Sequence, residues 1–158
     1  MILSALFKML KKIEKALKKR GINLSQPSWV FISAFDKNKN LLISKWVLLS
    51  SFPLNEALER LWEGFFIPEE KKIRYLVVDI VKLLEKVGEM KEVLATNMTD
   101  YGVAIVFNSS PFEVEALLPN TAGVLEIKQA LAFIKQKSWG RPLENVDFYR
   151  FKTQRIVI

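Results

Sequence analysis

Apolar and polar positions along the chain follow two different periods, and the switches between them mark its elements. Leu3, Leu6, Leu10, Ile13 and Leu17 recur at spacings of three and four, which predicts an amphipathic helix over residues 2–19 with one apolar stripe. Gly21 is placed to cap its C-terminus. After a polar connection at 23–28, residues 29–35 are almost wholly apolar or aromatic, as a buried strand requires. The polar turn at 36–40 and a second apolar run at 41–49 complete the pattern of an antiparallel hairpin. Pro53 breaks that strand. Helical spacing returns at 55–66 through Ala57, Leu58, Leu61, Trp62 and Phe65, with Gly64 and Pro68 marking the end.

Residues 73–84 fit both periods. The β-branched cluster Val77, Val78, Ile80 and Val81 favours a strand buried on both faces. Residues 87–100 have weak periodicity and predict a loop with a helical turn at 89–94. The stretch 101–137 predicts a strand (102–107), a turn rich in turn formers (108–111) and a second strand (112–118). Pro119 ends that strand because it cannot donate to a ladder. A helix follows at 124–137, with Leu125, Ile127, Ala130, Leu131 and Ile134 on its apolar side. Residues 146–151 alternate as a strand, which 156–158 either extend or leave to pair separately. The predicted order is α-β-β-α-β-β-β-α-β. That is an α+β fold, a mainly antiparallel β-sheet with helices packed on it, and the length of 158 residues predicts a single domain.

Composition narrows the chemistry. The chain has no Cys and no His, which excludes thiol nucleophiles, Ser–His pairs and zinc sites built on those ligands. The six glycines are scattered singly, so no phosphate-cradling loop is present. No cofactor and no metal site are expected. No apolar run reaches the ~18 residues of a membrane-spanning helix. The apolar stretch of the N-terminus precedes its lysines, the reverse of a secretory signal, so a cytoplasmic protein is expected.

Charge is concentrated in one place. The net charge is +7, and the first twenty residues supply +6 of it through seven basic side chains against Glu14. Lys8, Lys11, Lys12, Lys15, Lys18, Lys19 and Arg20 are therefore the candidate contacts for an anionic partner, a nucleic acid or a membrane surface. The competing reading is a solvated outer face on a docked helix. Lys45, inside the second strand, predicts an edge or outward position. Asp79, inside an apolar strand, predicts pairing with a Lys or Arg. Glu56, Glu59 and Glu63 share the polar face of the second helix. The aromatics lie in apolar runs and read as core.

Several segments, taken in order, resemble the AMME-chromosomal-region family, also called AmmeMemoRadiSam system protein A. PSWVFISAFDKNKNLL (27–42) is similar to that family's first strand and turn, and FPLNEALERLWEGFF (52–66) to its Pro-Leu-started helix. YGVAIV (101–106), ALLPN (116–120), IKQKS (134–138) and VDFYRFKT (146–153) follow in the family's order. The family signature Leu-Arg-Gly-Cys-Ile-Gly is replaced here by Leu41, Leu42, Ile43, Ser44, Lys45 and Trp46, with Ser44 in the cysteine's place. Family members accompany Memo-like and radical-SAM proteins, so the resemblance implies a shared pathway and a role through protein partners. Two other readings stay open. One is nucleic-acid or anionic-membrane binding through the basic helix. The other is an enzyme with a pocket near Ser44, Lys45 and the loop carrying Asn120 and Thr121.

Overall fold

The computed structural model describes residues 2–47, 51–63, 73–108, 113–119, 127–137 and 145–158, apart from the side chains of 2–6, 83, 133 and 137. The elements are α1 (Ile2–Lys19), β1 (Val30–Phe35), β2 (Leu41–Val47), α2 (Leu54–Glu63), β3 (Tyr75–Val87), α3 (Met90–Leu94), β4 (Gly102–Phe107), β5 (Glu113–Leu117), α4 (Ile127–Lys137) and β6 (Val146–Val157). The fold is α+β, with helices packed on an antiparallel sheet whose strands run in the order β2-β1-β3-β6-β4-β5. The chain forms two compact units, Met1–Val81 with Gln154–Ile158, and Lys82–Thr153. The strands β3 and β6 contribute residues to both.

In the first unit β1 is the inner strand of a three-stranded ladder, antiparallel to β2 and to β3. Alternate residues point to opposite faces of a strand. Val30, Ile32 and Ala34 enter a core with Leu76, Val78, Ile80 and Ile156, and α1 and α2 cover that face. Helix α1 contributes Leu10, Ile13 and Leu17, and α2 contributes Leu54, Ala57, Leu58, Leu61 and Trp62. Each fully buried apolar side chain contributes ~1.5–3 kcal/mol, so α1 is held chiefly by its stripe.

Local chemistry ends and starts these helices. The Gly21 N–H donates to the Lys18 carbonyl (3.0 Å) and the Ile22 N–H to the Leu17 carbonyl (3.1 Å). Gly21 has φ +74°, which only a residue without Cβ adopts cheaply. At the start of α2 the Leu54 and Asn55 N–H groups donate to the Gln26 and Leu24 carbonyls at 2.9 Å. The polar 23–28 connection thereby satisfies donors that no helix can pair internally. In the β1–β2 turn, Asp36 accepts from the Asn38 N–H (2.8 Å) and the Asn40 N–H (2.9 Å).

The second unit has its own core. Val103, Ile105 and Phe107 of β4 and Leu117 of β5 pack with Ile127, Ala130 and Ile134 of α4, joined by Val87, Val93 and Met98. Strand β4 pairs antiparallel with β5 and with β6.

Sequence periodicity placed most of these elements within a few residues. The helical turn expected at 89–94 is α3, and of the two alternatives for the C-terminus the structure takes extension, with residues 156 and 157 continuing β6. Two strands run longer than expected: β3 continues to Val87 rather than 84, and β6 continues through 152–155. The reason is tertiary: Val87 and Ile156 each have a core to enter. The expected ends of the second strand, of the second helix with Gly64 and Pro68, of the 108–111 turn and of the 124–126 helix start lie outside the described residues.

Two measurements check this architecture. A Cβ at Gly102 would collide with the ring of Phe151, its fully buried partner in register, and would lie 2.8 Å from the Leu117 carbonyl. Gly102→Ala is expected to lower unfolding stability by ~1–3 kcal/mol in chemical denaturation; an unchanged midpoint would contradict the packing. The Asn40 backbone N–H, helped by the Asn38 N–H, the Asn40 side chain and Lys37, holds the Asp36 carboxyl below the ordinary aspartate range against the opposing effect of desolvation. Its contribution to the turn is therefore present above that range and is lost as pH falls through the lower folded-state value. The Asn40 amide resonance should titrate with a midpoint below that of an unstructured aspartate; a midpoint at or above it would remove the hydrogen bonds from the account.

Candidate functional site

The Ser44 region is built by strand register. Ser44 lies opposite Ser33, Lys45 opposite Ile32 and Trp46 opposite Phe31. Because Ile32 points into the helix-covered core, Ser33 and Phe31 point the other way, and Ser44 and Trp46 share their face. The Ser44 and Ser33 hydroxyls form a hydrogen bond of 3.0 Å. The Phe31 and Trp46 rings lie 5.9 Å apart, tilted by 39°. Lys45 is exposed on β2, the end strand of the sheet order, as a lysine that guards an edge should be. Alternation therefore sends Ser44 and Lys45 to opposite faces, so the amine cannot serve the adjacent hydroxyl as a base. Asn120 and Thr121, the other half of that predicted site, lie outside the described residues.

Beside Phe31 in register lies Asp79 on β3. Its carboxylate is fully buried. From β6 the Arg155 Nε donates to Oδ1 at 3.0 Å and a terminal guanidinium nitrogen donates to Oδ2 at 3.4 Å. Half of the Arg155 side chain stays exposed. This is the pairing that the lone carboxylate in an apolar strand implied. Its partner stands 76 residues away, so no local spacing could name it.

Helix α1 separates its two chemistries cleanly. Leu10, Ile13 and Leu17 are buried, whereas Lys8, Lys11, Lys12, Lys15, Lys18, Lys19 and Arg20 are all exposed. Lys11 pairs with Glu14 at 3.4 Å and sits 5.2 Å from the Phe7 ring. An exposed pair of this kind is worth little. Among the described residues the other six cations make no ion pair.

The second unit carries a polar group that sequence reading did not single out. The Arg150 Nε donates to Glu85 Oε2 at 2.6 Å, and that hydrogen bond raises the Arg150 pKa above its ordinary value. Arg150 and Lys152 lie 5.3 and 5.0 Å from the Tyr101 ring centre. Nearby, Asp147 accepts from the Asn108 amide at 3.1 Å and pairs with Lys86 at 3.3 Å. Alternating charge in β6 was the available signal, but its partners on β3 are set by pairing. A cavity of about 10 Å³ between Val87, Val93, Val103, Ile127, Leu131 and Phe148 has room for about one water and no substrate. Among the described residues no cluster of three or more acidic side chains could hold a metal ion. No described helix is long and apolar enough to cross a membrane.

No family model matches the chain, and no curated protein does. Among solved structures it is similar to the uncharacterized protein PH0010 from Pyrococcus horikoshii. The two share 17% identity over 85% of this chain and 75% of that one, with a TM-score of 0.67. At that identity the likeness is one of fold.

The buried carboxylate gives a direct test. Arg155→Met should cost ~1–3 kcal/mol, because Asp79 would lose charged donors without regaining water. The double variant Asp79→Leu/Arg155→Met should recover most of that loss. Equal stability of Arg155→Met and wild type in urea denaturation would show that the pair does not hold β3 to β6.

Proposed function

We propose that the protein is a divergent relative of the AMME-chromosomal-region family that acts through protein partners, in a pathway with Memo-like and radical-SAM proteins. The observation that carries this reading is the placement of the resembling segments. They fall in order on β1 with its turn, on α2, on β4, at the end of β5, at the end of α4 and on β6. A binding role is favoured over catalysis by the altered signature. Ser44, in the place of the signature cysteine, has the hydroxyl of Ser33 as its hydrogen-bond partner. Lys45 points away from it, and the chain has no histidine to supply a base. A serine without a base is a poor nucleophile. The site therefore offers a hydrogen-bonded serine pair beside the Phe31 and Trp46 rings in place of the signature cysteine.

The reading is checked by what accompanies the tagged protein from its own cells, identified by mass spectrometry. Enrichment of a Memo-like or radical-SAM protein over a tag-only control is the expected result. Recovery of neither, with the tagged protein itself abundant and folded, would overturn the reading.

A further inference from the structure

The packing of α1 narrows the alternatives for its basic side. At 100° per residue, Lys8, Lys12, Lys15 and Lys19 fall within a band about 60° wide on the helix circumference. That band lies directly opposite the stripe of Leu10, Ile13 and Leu17, which is buried in the core of the first unit. The four lysines form a straight row about 16 Å long, at intervals of about 4.5–6 Å along the axis. Lys11 and Lys18 flank it on one side. All six are exposed, and none of the four in the row makes an ion pair among the described residues.

An interfacial membrane helix sinks its apolar face about 5–10 Å into the lipid boundary. Among the described side chains of α1, that face, from Leu10 through Ile13 to Leu17, is already spent on the protein core, and Phe7 is the exposed large apolar one. What remains outward is a rod of regularly spaced point charges. A duplex presents one phosphate charge per about 1.7 Å of its axis, so a row of this length meets several wherever it lands. Lysine suits this task because it contacts phosphate as a charge, without needing a fixed plane. Phe7, beside Lys11, adds a ring on which an unpaired base can stack.

We infer that the outward face of α1 is a docking surface for a nucleic-acid phosphate backbone, read through charge rather than sequence, with Lys8, Lys12, Lys15 and Lys19 as its contacts. This surface is independent of the family reading above, and the two fail separately.

The test is fluorescence anisotropy of the full chain with a mixed-sequence DNA duplex and with a single-stranded RNA, across a salt series. Wild type should bind both without sequence preference, with log K falling against log salt at a slope of about −3.6 for four phosphates neutralised on the duplex. The variant Lys8→Gln/Lys12→Gln/Lys15→Gln/Lys19→Gln should bind at least about 100-fold more weakly with a much flatter slope. It should keep the wild-type melting temperature, since exposed substitutions rarely matter to stability. Lys37→Gln/Lys39→Gln removes two exposed lysines from the β1–β2 turn and should bind like wild type. The inference is overturned if wild type binds neither probe at low salt. It is also overturned if the turn variant loses as much affinity as the row variant, which would mean diffuse charge alone. The third overturning result is vesicles of phosphatidylserine and phosphatidylcholine binding wild type more tightly than either nucleic acid.

Discussion

The constraint on which the first unit depends is the register of β1. Every residue from Val30 to Ala34 is buried, so neither face of the strand is free to slip. A shift of one residue exchanges the two faces. It would send Ser33 and Phe31 toward α1 and α2 and turn Val30, Ile32 and Ala34 away from them. The same register puts Ser44 against Ser33 and Phe31 beside Asp79. The core and the polar face are two readings of one pairing, and neither can be altered without the other.

Asp79 adds an electrostatic lock to that register. A carboxylate with no solvent exposure needs its donors, and Arg155 supplies two from β6. Burying such a pair is seldom a large net gain, but breaking it is costly. A pairing of β3 with β6 in which Arg155 did not meet Asp79 would leave the buried carboxylate without those two donors. In the second unit Arg150 with Glu85 and Lys86 with Asp147 repeat the arrangement along the same two strands. These pairs are more exposed, so solvent screens them and each contributes less.

Helix α1 has two faces with separate uses. Its apolar stripe is part of the core of the first unit, which makes the helix integral to the fold. That docking takes Leu10, Ile13 and Leu17 out of reach of any other apolar surface and leaves a lysine row outward. The stripe and the charge were both visible as patterns, but only packing showed which of them remains available to a partner. The proposed family reading draws on other segments, chiefly those of β1, α2, β4 and β6, so the two proposals rest on different residues.

The sequence alone determined the helices and strands whose periodicity is driven by burial. Helix α1 follows from its apolar spacing, and β1, β3 and β4 follow from short apolar runs rich in β-branched and aromatic residues and bounded by turn or polar segments, the signature of strands buried on both faces. The absence of His and Cys, the concentration of charge in α1 and the need for a cation beside Asp79 were equally legible, since they depend on residue identity. What tertiary structure decided was every relation between distant positions. Nothing near Asp79 names Arg155, and nothing near Glu85 names Arg150, because long-range strand pairing sets those neighbours. Ser44 and Lys45 looked like one site on paper. The pleat of β2 separates them, since adjacent residues in a strand cannot share a face. Likewise β3 and β6 reached their full length because a core was there to receive Val87 and Ile156, a tertiary gain that local propensity does not encode.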